Sequence, residues 1–114
     1  MANHVAWFEV SGPDAGALQS FYTELFDWQI DTSNPMNYGM VAAGEGEIGG
    51  GVGPSQDGSA SVTWYVAVPD LQAALDKANE LGGKTITPPM EVPGGPELAY
   101  FSDPAGNRIG LMKM

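Results

Sequence analysis

Three observations predict an α+β fold made of two strand–helix–strand–strand–strand modules. The chain is written twice. Trp7-Phe8-Glu9-Val10, Pro13-Asp14, a helical stretch, Glu24-Leu25 and Trp28-Gln29-Ile30 return as Trp64-Tyr65-Val66-Ala67-Val68, Pro69-Asp70, a second helical stretch, Glu80-Leu81 and Lys84-Thr85-Ile86. From the Pro-Asp pair onward the copies are offset by 56 residues, read with a two-residue insertion near Ser11-Gly12 in the first. Each copy also joins one stretch of helical period to several short apolar runs of period two. A repeat of this length cannot bury its apolar face alone, so residues 1–114 are expected to form one domain of paired modules. The modules are read as about 4–54 and about 60–114, with a cleft where they face each other.

Val5 to Val10 reads as a strand, with Val5, Trp7 and Glu9 on one face and Ala6, Phe8 and Val10 on the other. Pro13-Asp14 opens a helix with Asp14 as N-cap, and Leu18, Phe21, Tyr22 and Leu25 form its apolar stripe. Asp27 ends it where glycine would be easier. Trp28 to Asp31, Tyr38 to Ala43 and Glu47 to Val52 read as strands, and Gly53 to Ser59 as the linker. The second copy begins at Val62, its helix opens at Asp70, and Gly82-Gly83 closes that helix. Thr85 to Thr87 is a strand, after which Pro88-Pro89 is expected to turn the chain. Leu98 to Ser102 and Arg108 to Met112 are joined by Asp103-Pro104-Ala105-Gly106-Asn107, with Asp and Pro where a turn wants them. Phe21, Phe26 and Trp28 are expected in the core or at a dimer interface, and Trp64 under the second helix.

Composition closes off several function classes. There is no cysteine, which excludes disulfides, thiolate metal sites and cysteine nucleophiles. The net charge of -10 repels nucleic acid and anionic membranes and favours a cationic ligand. No apolar stretch approaches a membrane helix and no leader-like segment is evident, so a cytoplasmic location is expected. Gly44, Gly46 and Gly49 spell GxGxxG, but between two strands rather than before a helix, where a pyrophosphate would need it. His4 is the only histidine, so a Ser-His-Asp site has no oriented base to draw on.

Four stretches together resemble the vicinal oxygen chelate superfamily, which includes glyoxalase I, extradiol dioxygenases and bleomycin-resistance proteins. They are Trp7-Phe8-Glu9-Val10 with Pro13-Asp14; Phe21-Tyr22-Thr23-Glu24-Leu25-Phe26-Asp27-Trp28; Val66-Ala67-Val68-Pro69-Asp70-Leu71 with Leu81-Gly82-Gly83; and Asp103-Pro104-Ala105-Gly106-Asn107-Arg108-Ile109. The wording is most similar to small two-module glyoxalase-like proteins. The resemblance implies βαβββ modules forming an open, mostly antiparallel curved sheet, a half-barrel enclosing a cleft. It also implies His, Gln or Glu ligands on the first, fourth, fifth and eighth strands of metal-using members. Registered on Val10 and Val68, those positions fall on Val5, Gly49, Thr63 and Gly110, with His4 one residue out of step and facing the wrong way. None supplies a strong donor, so no metal and no cofactor are expected, and metal-dependent lyase or dioxygenase activity is not.

The expected concave face then carries Trp7, Glu9, Thr63, Tyr65, Arg108, Gly110 and Met112 as ligand-binding residues, an aromatic floor with few charges. Glu9 is the candidate catalytic residue: a carboxylate between rings can act as a base or pair with a cationic ligand, while a salt bridge with Arg108 is the plainer expectation. Two functions follow. One is a metal-independent, bleomycin-resistance-like homodimer binding a small cationic or aromatic molecule. The other is a lyase or isomerase acting on a small oxygenated substrate with Glu9 as general base. A protein-interaction domain is the third reading.

Overall fold

The computed structural model describes residues 2–114; Met1 lies outside the described residues. Two compact units divide the chain. One is Trp7–Thr63, and the other is Trp64–Met114 together with residues 2–6. The fold is α+β, as the repeat predicts. The first module holds β1 (Val5–Gly12), α1 (Ala15–Phe26), β2 (Ile30–Asp31), β3 (Gly39–Val41) and β4 (Gly49–Pro54). The second holds β5 (Ser61–Val68), α2 (Leu71–Glu80), β6 (Lys84–Glu91), β7 (Glu97–Ser102) and β8 (Arg108–Lys113). Strands lie in the order β2-β3-β4-β1 in the first and β5-β8-β7-β6 in the second. In each, the first and last strands run parallel and the remaining pairs antiparallel. These are two copies of βαβββ.

The helices begin as the sequence predicts. The Asp14 and Asp70 carboxylates each accept a 3.0 Å hydrogen bond from the amide three residues on, at Ala17 and Ala73. Asp27 ends α1 at φ 58, in the left-handed region that suits glycine. Ala15 and Gln19 face inward from α1, and Leu71 and Leu75 hold the same places on α2. Gln19 is satisfied there by donating through Nε2 to the carbonyls of Val52 (2.9 Å) and Asn37 (3.0 Å). The second core is wholly apolar: Val68, Leu71, Leu75, Ala99 and Leu111, flanked by Val66, Ala74 and Phe101. The turn at Asp103 is tightly bonded. Its Oδ1 accepts from the amides of Ala105 and Asn107, and its Oδ2 accepts from Asn107 Nδ2. Those donors, Asn107 first, hold its carboxyl below the usual aspartate value. Ser33 does the same for Asp31.

Four expectations need correction. Pro88-Pro89 does not turn the chain: β6 runs through it, with irregularities between Thr85 and Thr87 and between Thr87 and Met90. An edge strand tolerates this, because its outer amides have no ladder partner to lose. The inward face of α1 is set by Ala15 and Gln19, which leaves Phe21 and Phe26 55% and 52% exposed, so of the two placements expected for them, core or dimer interface, the core is excluded. Trp64 is also exposed, not packed under α2. The fourth concerns register. β1 and β5 are both eight residues long, and they end on equivalent bonds, Ser55 N–H to the Gly12 carbonyl and Met114 N–H to that of Val68. No insertion separates the strands, and the 56-residue offset holds through them.

Candidate functional site

That register changes which residues of the two modules correspond. Trp7 matches Thr63, Glu9 matches Tyr65, and Gly51 matches Gly110, through the pairings Glu9↔Gly51 and Tyr65↔Gly110. Val5 and Gly49, the sequence-derived partners of Thr63 and Gly110, are therefore two residues off. The side-chain face is unchanged by a shift of two, so the same surface is in question.

In the first module β4 alternates Gly49, Gly51 and Gly53 on the face that β1 lines with Trp7 and Glu9. Rings fill the bare positions. A Cβ at Gly49 would sit 3.1 Å from the Trp7 ring, and one at Gly51 would overlap the Tyr38 ring and its hydroxyl. The Tyr38 hydroxyl accepts from Trp7 Nε1 (3.1 Å) and donates to Glu9 Oε2 (3.0 Å). Trp7, Tyr38 and Glu9 thus form one half-buried relay, indole to phenol to carboxylate. Tyr38 itself is fixed by Asn34, whose Oδ1 accepts from the Tyr38 amide and whose Nδ2 donates to its carbonyl.

The second module repeats the theme with other residues. Tyr65 lies over Gly110, where any Cβ would overlap its ring, and its hydroxyl is 2.5 Å from that of Tyr100. The two rings meet edge-on at 5.7 Å. The Arg108 guanidinium stacks 3.9 Å above the Tyr100 ring, a cation–π contact that sets the position of its charge. Tyr65 and Thr63 are 1% and 4% exposed and Gly110 is buried, whereas Arg108 is exposed and Met112 half-buried. So the structure joins Trp7 to Glu9 in one group, and Tyr65, Gly110 and Arg108 in another. Thr63 stands on β5 two residues before Tyr65, and Met112 on β8 two residues after Gly110. His4 precedes β1, and its carbonyl accepts from the Ala67 amide.

Tyr38 and Tyr100 were missed in the sequence, although each organises its group. A signal was there: Gly49-x-Gly51-x-Gly53 strips one strand face of side chains, which calls for a large ring from a neighbour.

The model of the glyoxalase-like domain matches residues 7–112. Among curated proteins, the chain is 30% identical over 114 residues to Mycobacterium tuberculosis CFP32, provisionally named a glyoxylase, covering 92% of this chain and 43% of that protein. It is 33% identical over 126 residues to the anthracycline biosynthesis protein DnrV of Streptomyces peucetius, covering 95% of this chain and 46% of DnrV. The chain thus spans under half the length of these relatives. A glyoxalase/bleomycin resistance protein/dioxygenase superfamily member from Vibrio splendidus 12B01 superposes with a TM-score of 0.68 at 13% identity, over 99% of this chain and 100% of that one. At that identity the likeness concerns the fold. With the βαβββ repeat in place and the domain matched along nearly its full length, the chain belongs to the glyoxalase-like family of the vicinal oxygen chelate superfamily.

Proposed function

We propose that this chain binds a small aromatic or cationic molecule without a metal, at the Trp7–Tyr38–Glu9 group. One observation carries the reading: in both modules a tyrosine ring occupies the space over a glycine of the last strand, Gly51 and Gly110, the second of which is a position where the resemblance implies a metal ligand. Gly51 under Tyr38 and Gly110 under Tyr65 leave no room for a projecting donor. Their counterparts Trp7 and Thr63 offer an indole and a hydroxyl, neither of which suits a divalent ion. Among the described residues no three His, Asp or Glu side chains are grouped to hold one. The metal of the superfamily does not fit these residues.

What remains suits recognition. Trp7 presents a π face, and Glu9, held through Oε2 by Tyr38, can accept from a ligand through Oε1. In the second module, Arg108 stacked on Tyr100 offers a fixed donor to an acceptor group. The relation to an anthracycline biosynthesis protein is consistent with a planar polycyclic ligand. The test is a fluorescence titration of chelator-treated protein with an anthracycline and with its amine-free aglycone. The reading expects saturable binding, tighter for the amine. Neither compound quenching the tryptophans would count against it.

The second reading is a lyase or isomerase with Glu9 as general base. Its support is the Tyr38 bond, which aims the carboxylate, as a catalytic base requires. Glu9→Gln separates the two, since a base-dependent turnover falls about 100-fold or more while binding of a neutral ligand barely changes. Superfamily architecture also makes a homodimer part of the proposal, to be read by sedimentation equilibrium.

A further inference from the structure

Five rings run in contact along the outside of the first module. Phe8 meets Trp28 at 5.4 Å, Trp28 meets Tyr22 and Phe26 at 5.5 and 5.2 Å, and Tyr22 meets Phe21 at 5.1 Å. The cluster is rooted on β4, because Phe8 lies where a Cβ of Gly50 would be. Its outer end is open: Phe21, Leu25 and Phe26 are 55%, 58% and 52% exposed. Contiguous exposed apolar surface of this kind marks an interaction site more often than chance.

The repeat supplies an internal control. At the matching places the second module has Lys77 for Phe21, Ala78 for Tyr22, Gly82 for Phe26 and Lys84 for Trp28. Only Phe8 has an aromatic counterpart there, Trp64, and the module folds into the same βαβββ unit without the other four rings. Folding of the module therefore does not account for them. Charge then selects the occupant. Lys77, Lys84, Arg108 and Lys113 all lie in the second module, so residues 2–63 contain no lysine or arginine, yet eight of the fourteen acidic residues. Glu24 and Asp27 stand exposed beside the rings on α1, and Asp31 follows on β2. A second copy meeting it through the same face would bring the same carboxylates against these, and anionic lipid would be repelled likewise. We infer that the α1 face, Phe21–Leu25–Phe26 with Tyr22 and Trp28, docks a protein segment that is both apolar and basic. An amphipathic helix with Lys or Arg flanking its apolar stripe fits that chemistry. Its apolar anchors would meet the rings while its cations face Glu24 and Asp27.

The experiment titrates the full chain with a fluorescent amphipathic Leu/Lys peptide and with its Leu/Glu counterpart, at low and high salt. Variants Phe21→Ser, Phe26→Ser and the control Leu81→Ser in the second module are compared, with circular dichroism confirming their folds. The expected result is salt-sensitive binding of the Lys peptide only, weakened about tenfold or more by each phenylalanine change and unaffected by Leu81→Ser. Lys-peptide binding that ignores both phenylalanine changes would mean diffuse attraction to an acidic surface and would overturn the inference. So would self-association abolished by Phe26→Ser, or binding to phosphatidylcholine vesicles abolished by it. None of these outcomes touches the small-molecule titration above.

Discussion

Replacing Tyr38 with phenylalanine keeps the ring over Gly51 and removes a single oxygen, yet that oxygen holds the first-module group together. It accepts from Trp7 Nε1 at 3.1 Å and donates to Glu9 Oε2 at 3.0 Å. A neutral hydrogen bond contributes about 1 kcal/mol net, and one to a carboxylate about 1.5–3 kcal/mol. Trp7 and Glu9 are half-buried, so water can replace part of both, and a loss of about 1–3 kcal/mol is expected. For a domain of this size that is a fall in Tm of roughly 4–12 °C. Urea unfolding followed by circular dichroism measures the loss. Ligand affinity should fall too, because Glu9 is no longer held. A variant with unchanged urea midpoint and unchanged Trp fluorescence would refute the relay, since the rings alone would then be holding the site.

Further outcomes follow from the same geometry. Gly51→Ala and Gly110→Ala drive a methyl into the Tyr38 and Tyr65 rings and should each cost about 1–3 kcal/mol in urea, the latter more because Tyr65 is 1% exposed. Glu9→Gln keeps an acceptor for Tyr38 but exchanges a carboxylate bond for a neutral one, so its urea midpoint should fall by less than that of Tyr38→Phe, while affinity for a cationic aromatic ligand falls about tenfold or more by titration. Asp27→Gly relieves a φ of 58 and should add about 0.5–1 kcal/mol to stability by thermal melting. The Asp103 carboxyl is lowered in the folded state, so its contribution is complete above the unfolded value near 3.8 and fades as pH falls through the lower folded value. Urea midpoints below pH 4 should therefore drop less steeply in Asp103→Asn than in the parent.

The fold was legible because both levels of the sequence agree. Period-two runs, Asp N-caps and the Asp103–Asn107 turn are local signals, and each stands where it was read. The errors came where tertiary placement overrides local pattern. Pro88-Pro89 reads as a break, but on an edge strand it is carried by a register irregularity between Thr87 and Met90 without ending the strand. The α1 stripe reads as a buried face, but helical period alone does not say which arc meets the sheet. Ala15 and Gln19 lie on that arc, and a polar glutamine there carried no signal until its carbonyl partners were placed. The two-residue insertion arose from matching the words Trp-Phe-Glu-Val and Trp-Tyr-Val-Ala-Val, whereas equivalent hydrogen bonds at the strand ends fix the register. Face and charge pointed to Trp7, Glu9 and Arg108, which lie in the two ring groups. Tyr38 and Tyr100 were not, because their importance lies in the glycines they cover on neighbouring strands.

The central claim is that aromatic rings, not metal ligands, make this site. Isothermal titration of an anthracycline into protein purified without chelator, and again after exhaustive chelation, with metal content measured in both, tests it most directly. The account predicts one affinity for both preparations, no stoichiometric metal in either, and a clear loss of affinity in Tyr38→Phe. One equivalent of a divalent metal in the untreated protein, with binding abolished by its removal, would contradict it.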